Sequence, residues 1–349
     1  MIKKQVIFLV LWVCWLPAIS PANDGFGGLS ATGLQFGRTD QVRMVSEDLF
    51  LSADKVRVRY LFHNDGAQAV EGEVIFPLPP VSLNELANTG FALDEKKLRS
   101  QNPVGFTARI NGMPIPVRTE RIAVVEPPYD QRKQTREGYD APGKEVTETL
   151  RRFGIPLSLD MTEITALLAR LEKDRQQQLK ALGLVELFPG EPPIPLWSVV
   201  LRYHWPQRFP AGKDMLIEHS YDPAPPGGIF VWPARDKDLD SYQQELIREY
   251  CIDAFTRKGI VKRLHPPGRD EMAGTGMAVY LNYVLTTANT WHGPIDRFHL
   301  TIDKGKPNSI LSLCLDGIRK TGPTRFEVVR ENFRPEKDLR LLIVSPLTN

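Results

Sequence analysis

The spacing of apolar residues predicts β-strands over most of the chain. Between Val42 and Val125, several segments carry apolar side chains at every second position, as in strands that bury one face. In one such segment the residues of the buried face are Val56, Val58, Tyr60 and Phe62. Asn111-Gly112 is a dipeptide that favours a two-residue hairpin turn, so the segments on either side of it are predicted to pair.

Alternation returns after a proline-rich stretch at 189–195. The strands predicted there cover residues 197–205, 215–221, 277–285, 298–302, 310–314, 326–328 and 339–344. We expect Trp205 and Trp232 to fill the core rather than to bind sugar. His204 and His219 lie within strands, and we interpret both as structural histidines held by hydrogen bonds.

Helical spacing interrupts the strands between Pro127 and Leu187. Asp160 followed by Glu163 forms a capping box, and it predicts a helix from about Met161 to Leu182. A shorter helix is predicted from Lys144 to Phe153. The two together are interpreted as a helical insertion, at about 129–185, within the first β-domain.

The second half of the long helix is almost entirely polar. Between Lys173 and Lys180 only Leu179 is available to pack. This pattern predicts an arm that is anchored by residues 164–171, projects from the β-body and contacts a partner. The competing interpretation is that both helices lie flat and cover a sheet edge.

The last third opens with a helix predicted from Leu239 to Lys258, with Gly259 as its C-cap. The predicted fold class is mainly β, with two antiparallel sandwich-like units and the helical insertion in the first. The first unit covers residues 23–235, and residues 236–349 form a C-terminal helix plus an antiparallel β-domain.

The first 22 residues have the pattern of a secretory signal peptide. Lys3 and Lys4 precede an uninterrupted apolar run, Val6–Leu16, which is too short to span a bilayer. Small residues at Ser20-Pro21-Ala22 predict cleavage after Ala22. Cys14 lies inside the apolar run without small residues before it, so lipidation there is not expected. The predicted location is periplasmic or secreted, with no membrane anchor after cleavage.

Charge and cysteine content narrow the class of protein. The chain has 44 basic and 42 acidic residues, and removing Lys3 and Lys4 leaves 42 of each. Zero net charge argues against a general nucleic-acid or anionic-membrane binder. Cys251 and Cys314 are the cysteines left after cleavage, and in an exported chain they indicate one structural disulfide. Two buried thiols or a reactive pair are the alternatives.

Searching the sequence for catalytic and metal-binding motifs gives no match. It lacks the zinc-protease, nucleophile-elbow, phosphate-loop and dinucleotide patterns, and the six histidines do not fall at ligand spacing. No catalytic residue, metal site or cofactor is therefore assigned. A candidate binding loop contains Asn289, Trp291 and His292, because loops carry function more often than strands. Its competing interpretation is that Trp291 anchors the loop on the sheet.

Parts of the chain resemble two known families. The segments 56–64 and 70–79, with the hairpin 106–115, resemble the opening of vault/inter-alpha-trypsin (VIT) type β-sandwiches. Most of the mature chain resembles an uncharacterised exported bacterial family, the domain of unknown function 4424. The segments that carry the second resemblance are 23–25, 203–221, 289–295 and 301–305, with Cys251 and Cys314. It implies a fold and a compartment, but no activity.

The sequence favours a non-catalytic exported envelope protein that binds or scaffolds a protein or a cell-wall component. The alternative is a hydrolase that acts on an envelope substrate. A clustered, solvent-exposed set of His, Asp and Glu in one cleft would favour the hydrolase. A thiol-redox role for Cys251 and Cys314 is a third hypothesis.

Overall fold

The structure is a computed structural model, and it describes residues 24–30, 33–84, 95–127, 142–223, 225, 227–268 and 273–347. The protein is mainly β, as predicted. Residues 1–23, which contain the predicted signal peptide, and residues 128–141, at the start of the predicted insertion, lie outside the described residues. Within the part described, the longest helix has 11 residues, and none is long and apolar enough to cross a membrane.

The strands are numbered in chain order. They are β1 Gly25–Ser30, β2 Gly33–Phe36, β3 Val42–Ser52, β4 Val56–Asn64, β5 Val70–Pro77, β6 Val81–Ser82, β7 Thr107–Ile110, β8 Met113–Ile115, β9 Arg118–Val125, β10 Lys144–Glu145, β11 Val185–Glu186, β12 Ile194–Pro195, β13 Ser198–Phe209, β14 Asp214–Tyr221, β15 Gly227–Val231, β16 Thr275–Tyr283, β17 Ile295–Asp303, β18 Ile310–Leu313, β19 Arg319–Lys320, β20 Arg325–Phe333 and β21 Leu339–Pro346. The helices are α1 Glu95–Leu98, α2 Thr147–Arg152, α3 Met161–Arg170, α4 Lys173–Ala181, α5 Ser241–Glu249 and α6 Ala254–Leu264.

Two large sheets face each other across the main core. One has eight strands in the order β19-β20-β17-β3-β4-β14-β7-β8, and the other has β10-β9-β13-β5-β1-β2 with β6 beside β13. Phe106, the residue before β7, stacks on Tyr203 of β13, with ring centroids 4.4 Å apart. Trp205 fills the space between the sheets, and Trp232 is equally buried in a second core, as predicted.

The hairpin predicted at Asn111-Gly112 is confirmed. Ile110 of β7 pairs with Met113 of β8 across this two-residue turn. Both turn residues have positive φ, 49° at Asn111 and 82° at Gly112, which the right-handed twist of a tight hairpin requires.

The eight-stranded sheet joins the two ends of the chain. β3 pairs with β17 in parallel, and Ser46 lies opposite Arg297. Other pairings of the named strands are antiparallel. The predicted boundary between 235 and 236 therefore falls between strands of one continuous sheet.

The helical insertion differs from its prediction in two ways. The shorter helix begins only at Thr147, because Lys144–Glu145 pair with β9 as a strand. The long helix is two helices, α3 and α4, broken where Leu171 takes an extended conformation with ψ of 144°. The Gln176 side chain donates hydrogen bonds to the carbonyls of Leu168 and Leu171, which satisfies acceptors that the break exposes.

The prediction that the insertion projects from the β-body as an arm is wrong, while its contact with a partner stays a prediction. Leu179, the single apolar residue of the polar half, is completely buried in the main core together with Ile164 and Leu168. One leucine per two turns is enough to dock a short helix when the rest of its surface meets water. The insertion is part of the core.

The predicted helix Leu239–Lys258 is also two helices. α5 ends at Glu249, and Cys251 then adopts a positive φ of 51°. α6 begins after Asp253, whose side chain accepts a hydrogen bond from Thr256 N at 2.7 Å. Gly259 lies inside α6 rather than at a C-cap, and a Cβ there would approach Ile310 of β18 to 3.3 Å. The glycine therefore lets α6 pack closely on the sheet.

A four-stranded sheet, β15-β16-β21-β18, carries these two helices on one face. The contacts form the second core, which includes Phe230, Trp232, Leu246, Ile260 and Leu264. The other face contributes Leu281, Tyr283 and Leu341 to the main core. The sheet thus links the C-terminal helices to the main body.

Candidate functional site

The predicted binding loop is packed against the N-terminus of the described chain. Trp291 is buried, with its ring 4.4 Å from that of Phe62, and its indole Nε1 donates a hydrogen bond to the carbonyl of Asp24. Asn289 Nδ2 donates to the carbonyl of Pro335 at 2.9 Å. The His292 side chain is exposed, but its backbone N–H donates to Val42 O at 2.8 Å. In the structure Trp291 therefore anchors the loop and is closed to a ligand from solvent.

The histidines interpreted as structural are buried and hydrogen-bonded. His204 Nδ1 lies 2.8 Å from Glu73 Oε2. His219 Nε2 lies 2.8 Å from Asp24 Oδ2, in a shell of aromatic rings that includes Tyr60 and Trp205.

The Asp24–His219 pair belongs to a sealed polar cluster. Burial raises the pKa of Asp24, and the neighbouring His219 opposes that rise. The hydroxyls of Tyr60 and Tyr283 lie 3.2 Å apart, and burial raises both of their pKa values well above 10. Both tyrosines stay protonated and serve as hydrogen-bonding groups. Since all four side chains are buried, the cluster ties β1 into the sandwich rather than meeting a substrate.

The predicted disulfide is present. Cys251 and Cys314 are joined with Cα atoms 5.1 Å apart, and both residues are exposed. The bond ties the connection between α5 and α6 to the end of β18.

The outer face of the eight-stranded sheet carries a row of accessible polar groups that crosses five strands. Five side chains lie in register on neighbouring strands, and they alternate in charge type: His299, Asp48, Arg59, Glu218 and Arg109. We call this set the charge ladder. His299 Nδ1 lies 3.2 Å from Asp48 Oδ1, and Arg59 Nε lies 3.8 Å from Glu218 Oε1.

The next row on the same face lies two residues further along each strand. Its side chains are Thr301, Phe50, Arg57, Ser220 and Thr107. Together with part of the charge ladder, four of them line a cleft of about 360 Å³. We call it the arginine cleft, after Arg57, Arg59 and Arg109; its outward-facing lining also includes Asp48, Phe50, Thr107, Glu218 and Ser220. It opens directly to solvent across β3, β4, β14 and β7.

Two arginines of the cleft are not neutralised by a carboxylate. The guanidinium of Arg57 lies over the ring of Phe50, 4.6 Å from its centroid. No carboxylate among the described residues comes within 4 Å of Arg57 or Arg109. Arg109 makes one long hydrogen bond, 3.4 Å, to the carbonyl of Gly112. Arg59, by contrast, faces Glu218. The cleft thus presents two exposed, uncompensated cations beside hydroxyl groups.

Sequence reasoning identified part of this site but did not assemble it. The alternation at 55–62 shows that Arg57 and Arg59 share an exposed face. It carries no signal that Glu218 and Arg109 lie in the same row, because cross-strand register is a property of the folded sheet.

Fold and surface together define a mainly β, multi-sheet protein with an arginine-lined cleft on a broad polar sheet face. The family model of the domain of unknown function 4424 (DUF4424) matches residues 22–342, and the chain belongs to this family.

Comparison with solved structures finds a likeness to a protein of Legionella pneumophila, described as a "putative nutrient binding protein". The two are 14% identical, with a TM-score of 0.42, over 93% of this chain and 72% of that one. Among curated proteins none matches this chain. The resemblance to VIT-type sandwiches stays a prediction.

Proposed function

We propose that this protein is an exported, non-catalytic binding protein of the cell envelope, and that its arginine cleft is the ligand-binding surface. The observation that carries the proposal is the pair of uncompensated cations, Arg57 and Arg109, in one open cleft. Guanidinium groups that lack an internal partner are available to an anionic ligand. The signal-peptide pattern of the first 22 residues and the disulfide support export to an oxidising compartment.

The rest of the outer face suits binding rather than catalysis. Most charges of the charge ladder are paired with a neighbour, so they are compensated within the protein and present alternating donors and acceptors on this face. The mature chain is neutral overall by prediction. Recognition therefore depends on this local group of cations and not on a general positive field.

The alternative function, a hydrolase, has one observation in its favour. His299 lies between two carboxylates, with Nδ1 3.2 Å from Asp48 and Nε2 3.9 Å from Glu327. A half-buried imidazole beside carboxylates can act as a general base. His299→Ala would abolish hydrolysis of an envelope substrate under this alternative, and it would leave binding at the arginine cleft unchanged under the proposal.

Co-sedimentation tests the proposed function. The full exported chain is mixed with isolated bacterial envelopes, and the bound fraction is measured at two salt concentrations. The double variant Arg57→Gln/Arg109→Gln should lose most of the bound fraction, because both free cations are removed.

Arg319→Gln/Arg325→Gln is the matched control. It removes two exposed arginines of β19 and β20, in the same sheet but outside the cleft, and it should bind like the wild type. The proposal fails if the wild-type chain does not sediment with envelopes, or if the two double variants lose binding equally.

A further inference from the structure

We infer that the arginine cleft binds a phosphomonoester group, and this inference rests on the proposed function. It names the chemical class of the ligand, which can be a phosphorylated sugar or a lipid headgroup that ends in a phosphomonoester. Both sources present the same terminal group.

Charge matching carries the first step. The cleft lining contains three arginines and two carboxylates. Glu218 is in register with both Arg59 and Arg109, but its carboxylate comes within 4 Å of Arg59 and not of Arg109, while Asp48 is shared by Arg297 and His299. Arg57 and Arg109 are left over, and together they supply two positive charges. A phosphomonoester carries about −1.5 to −2 at pH 7, and so neutralises both. A carboxylate, a sulfate ester or a phosphodiester carries a single negative charge and would leave one guanidinium uncompensated.

Geometry carries the second step. Arg57 and Arg109 lie on β4 and β7, two strands apart across the sheet and two residues apart along the strands, which separates their backbones by roughly 12 Å. Both long side chains line the same cleft, so they can approach one group from opposite sides. The three terminal oxygens of a phosphomonoester accept hydrogen bonds from several directions, whereas the two of a carboxylate lie in one plane.

Preorganisation carries the third step. The Phe50 ring supports the Arg57 guanidinium from one face, and a ring contact of this kind does not use the N–H groups at the guanidinium edge. The Thr107 hydroxyl, in the same row as Arg57, donates its proton to the carbonyl of Ser220 at 3.1 Å, so it is held in place but is not a donor to the ligand. The Ser220 hydroxyl lines the cleft beside Arg57 and adds a further donor.

Calorimetric titration of the full chain with methyl phosphate and with glucose 1-phosphate, at constant ionic strength, tests this inference. Both should bind, and Arg57→Gln should weaken binding roughly tenfold, since it removes a charge-assisted hydrogen-bond donor. Arg325→Gln, the matched control, should leave affinity unchanged. Arg57→Lys should bind more tightly than Arg57→Gln but less tightly than the wild type, because lysine keeps the charge but lacks the planar guanidinium that donates two parallel hydrogen bonds.

Vesicles distinguish the lipid source. Phosphatidic acid ends in a phosphomonoester, and phosphatidylglycerol contains a phosphodiester of single charge. If the natural source is a lipid, the chain should bind vesicles of phosphatidic acid in phosphatidylcholine more tightly than glucose 1-phosphate, and phosphatidylglycerol vesicles only weakly. If the source is a sugar, glucose 1-phosphate should bind more tightly than either type of vesicle.

The inference is overturned if none of the phosphomonoester probes binds at millimolar concentration, if acetate binds as tightly as methyl phosphate, or if Arg57→Gln and Arg325→Gln have equal effects. Its failure is separable from failure of the proposed function. A chain that sediments with envelopes through Arg57 and Arg109, but does not bind phosphomonoesters, has the proposed function with another ligand class.

Discussion

Replacing Leu179 by alanine measures whether the helical insertion belongs to the core. Leu179 is completely buried, and it is the one buried residue of α4. Truncating a buried leucine removes its transfer free energy and leaves a cavity, which together cost about 2–5 kcal/mol. Folded proteins of ordinary stability have about 5–15 kcal/mol in total, so the loss is a large share.

Leu182→Ala is the matched control. Leu182 caps the same helix three residues further on and is 50% exposed, so its truncation should change the unfolding free energy by less than about 0.5 kcal/mol. Urea unfolding of both variants, followed by tryptophan fluorescence and circular dichroism, gives the two values under the same conditions. Equal effects from the two substitutions, both below about 0.5 kcal/mol, would refute the assignment of α4 to the core.

Deleting the insertion extends the same test. The main core contains Leu150, Ile155, Ile164, Leu168 and Leu179 from this segment. Removing residues 129–185 with a short Gly-Ser bridge should therefore give an insoluble or unfolded chain. A soluble deletion variant with an almost unchanged melting temperature would restore the arm interpretation.

Three further predictions concern other parts of the chain. Cys251→Ser/Cys314→Ser should lower the unfolding free energy by about 4 kcal/mol, the chain-entropy value for a closed loop of 63 residues. Melting the wild-type chain with and without reductant should give the same loss. A loss under about 1 kcal/mol would show that the disulfide does not stabilise the fold. Burial alone would raise the pKa of Asp160, but hydrogen bonds from Arg99 and from the backbone of Glu163 and Thr162 outweigh it and hold the pKa below its usual value. This carboxylate therefore stabilises the fold at neutral pH, and the stabilisation is lost as the pH falls through the lowered pKa. Asp160→Asn should therefore cost about 1 kcal/mol at pH 7 and progressively less below about pH 4, and a cost independent of pH would contradict this. Intact-mass measurement of the exported chain should give an N-terminus at Asn23; a retained leader or a lipid on Cys14 would contradict the predicted cleavage.

The strands were predictable because alternation is a local property. Segments such as 56–62 and 215–221 bury every second residue, and this pattern survives whatever the strand pairs with. The helix breaks were not predictable in the same way. Leu171 and Cys251 lie in sequences with unbroken helical spacing, and each break places the following helix against a surface that only the complete fold supplies.

In the candidate site too, local features could be predicted from the sequence, but contacts between distant segments could not. Trp291 stood out as an aromatic residue in a loop, and both the anchoring and the binding interpretation fitted the sequence. The structure supplies what the sequence lacked, namely Asp24 and Phe62 as its contacts, 267 and 229 positions away. The arginine cleft depends on register between β4, β14 and β7, which no local pattern encodes.

The parallel pair β3–β17 has a consequence for the order in which the protein folds. β3 ends at Ser52, but its neighbour on one side, β17, is not synthesised until residue 303. Until then β3 exposes an unpaired edge, and the emerging chain is open to wrong strand pairing. Contacts between residues this far apart in sequence also slow folding, since a long loop must close before they form. We expect refolding of the full chain to be slow, and chains truncated before β17 to aggregate because β3 has no partner to cover it.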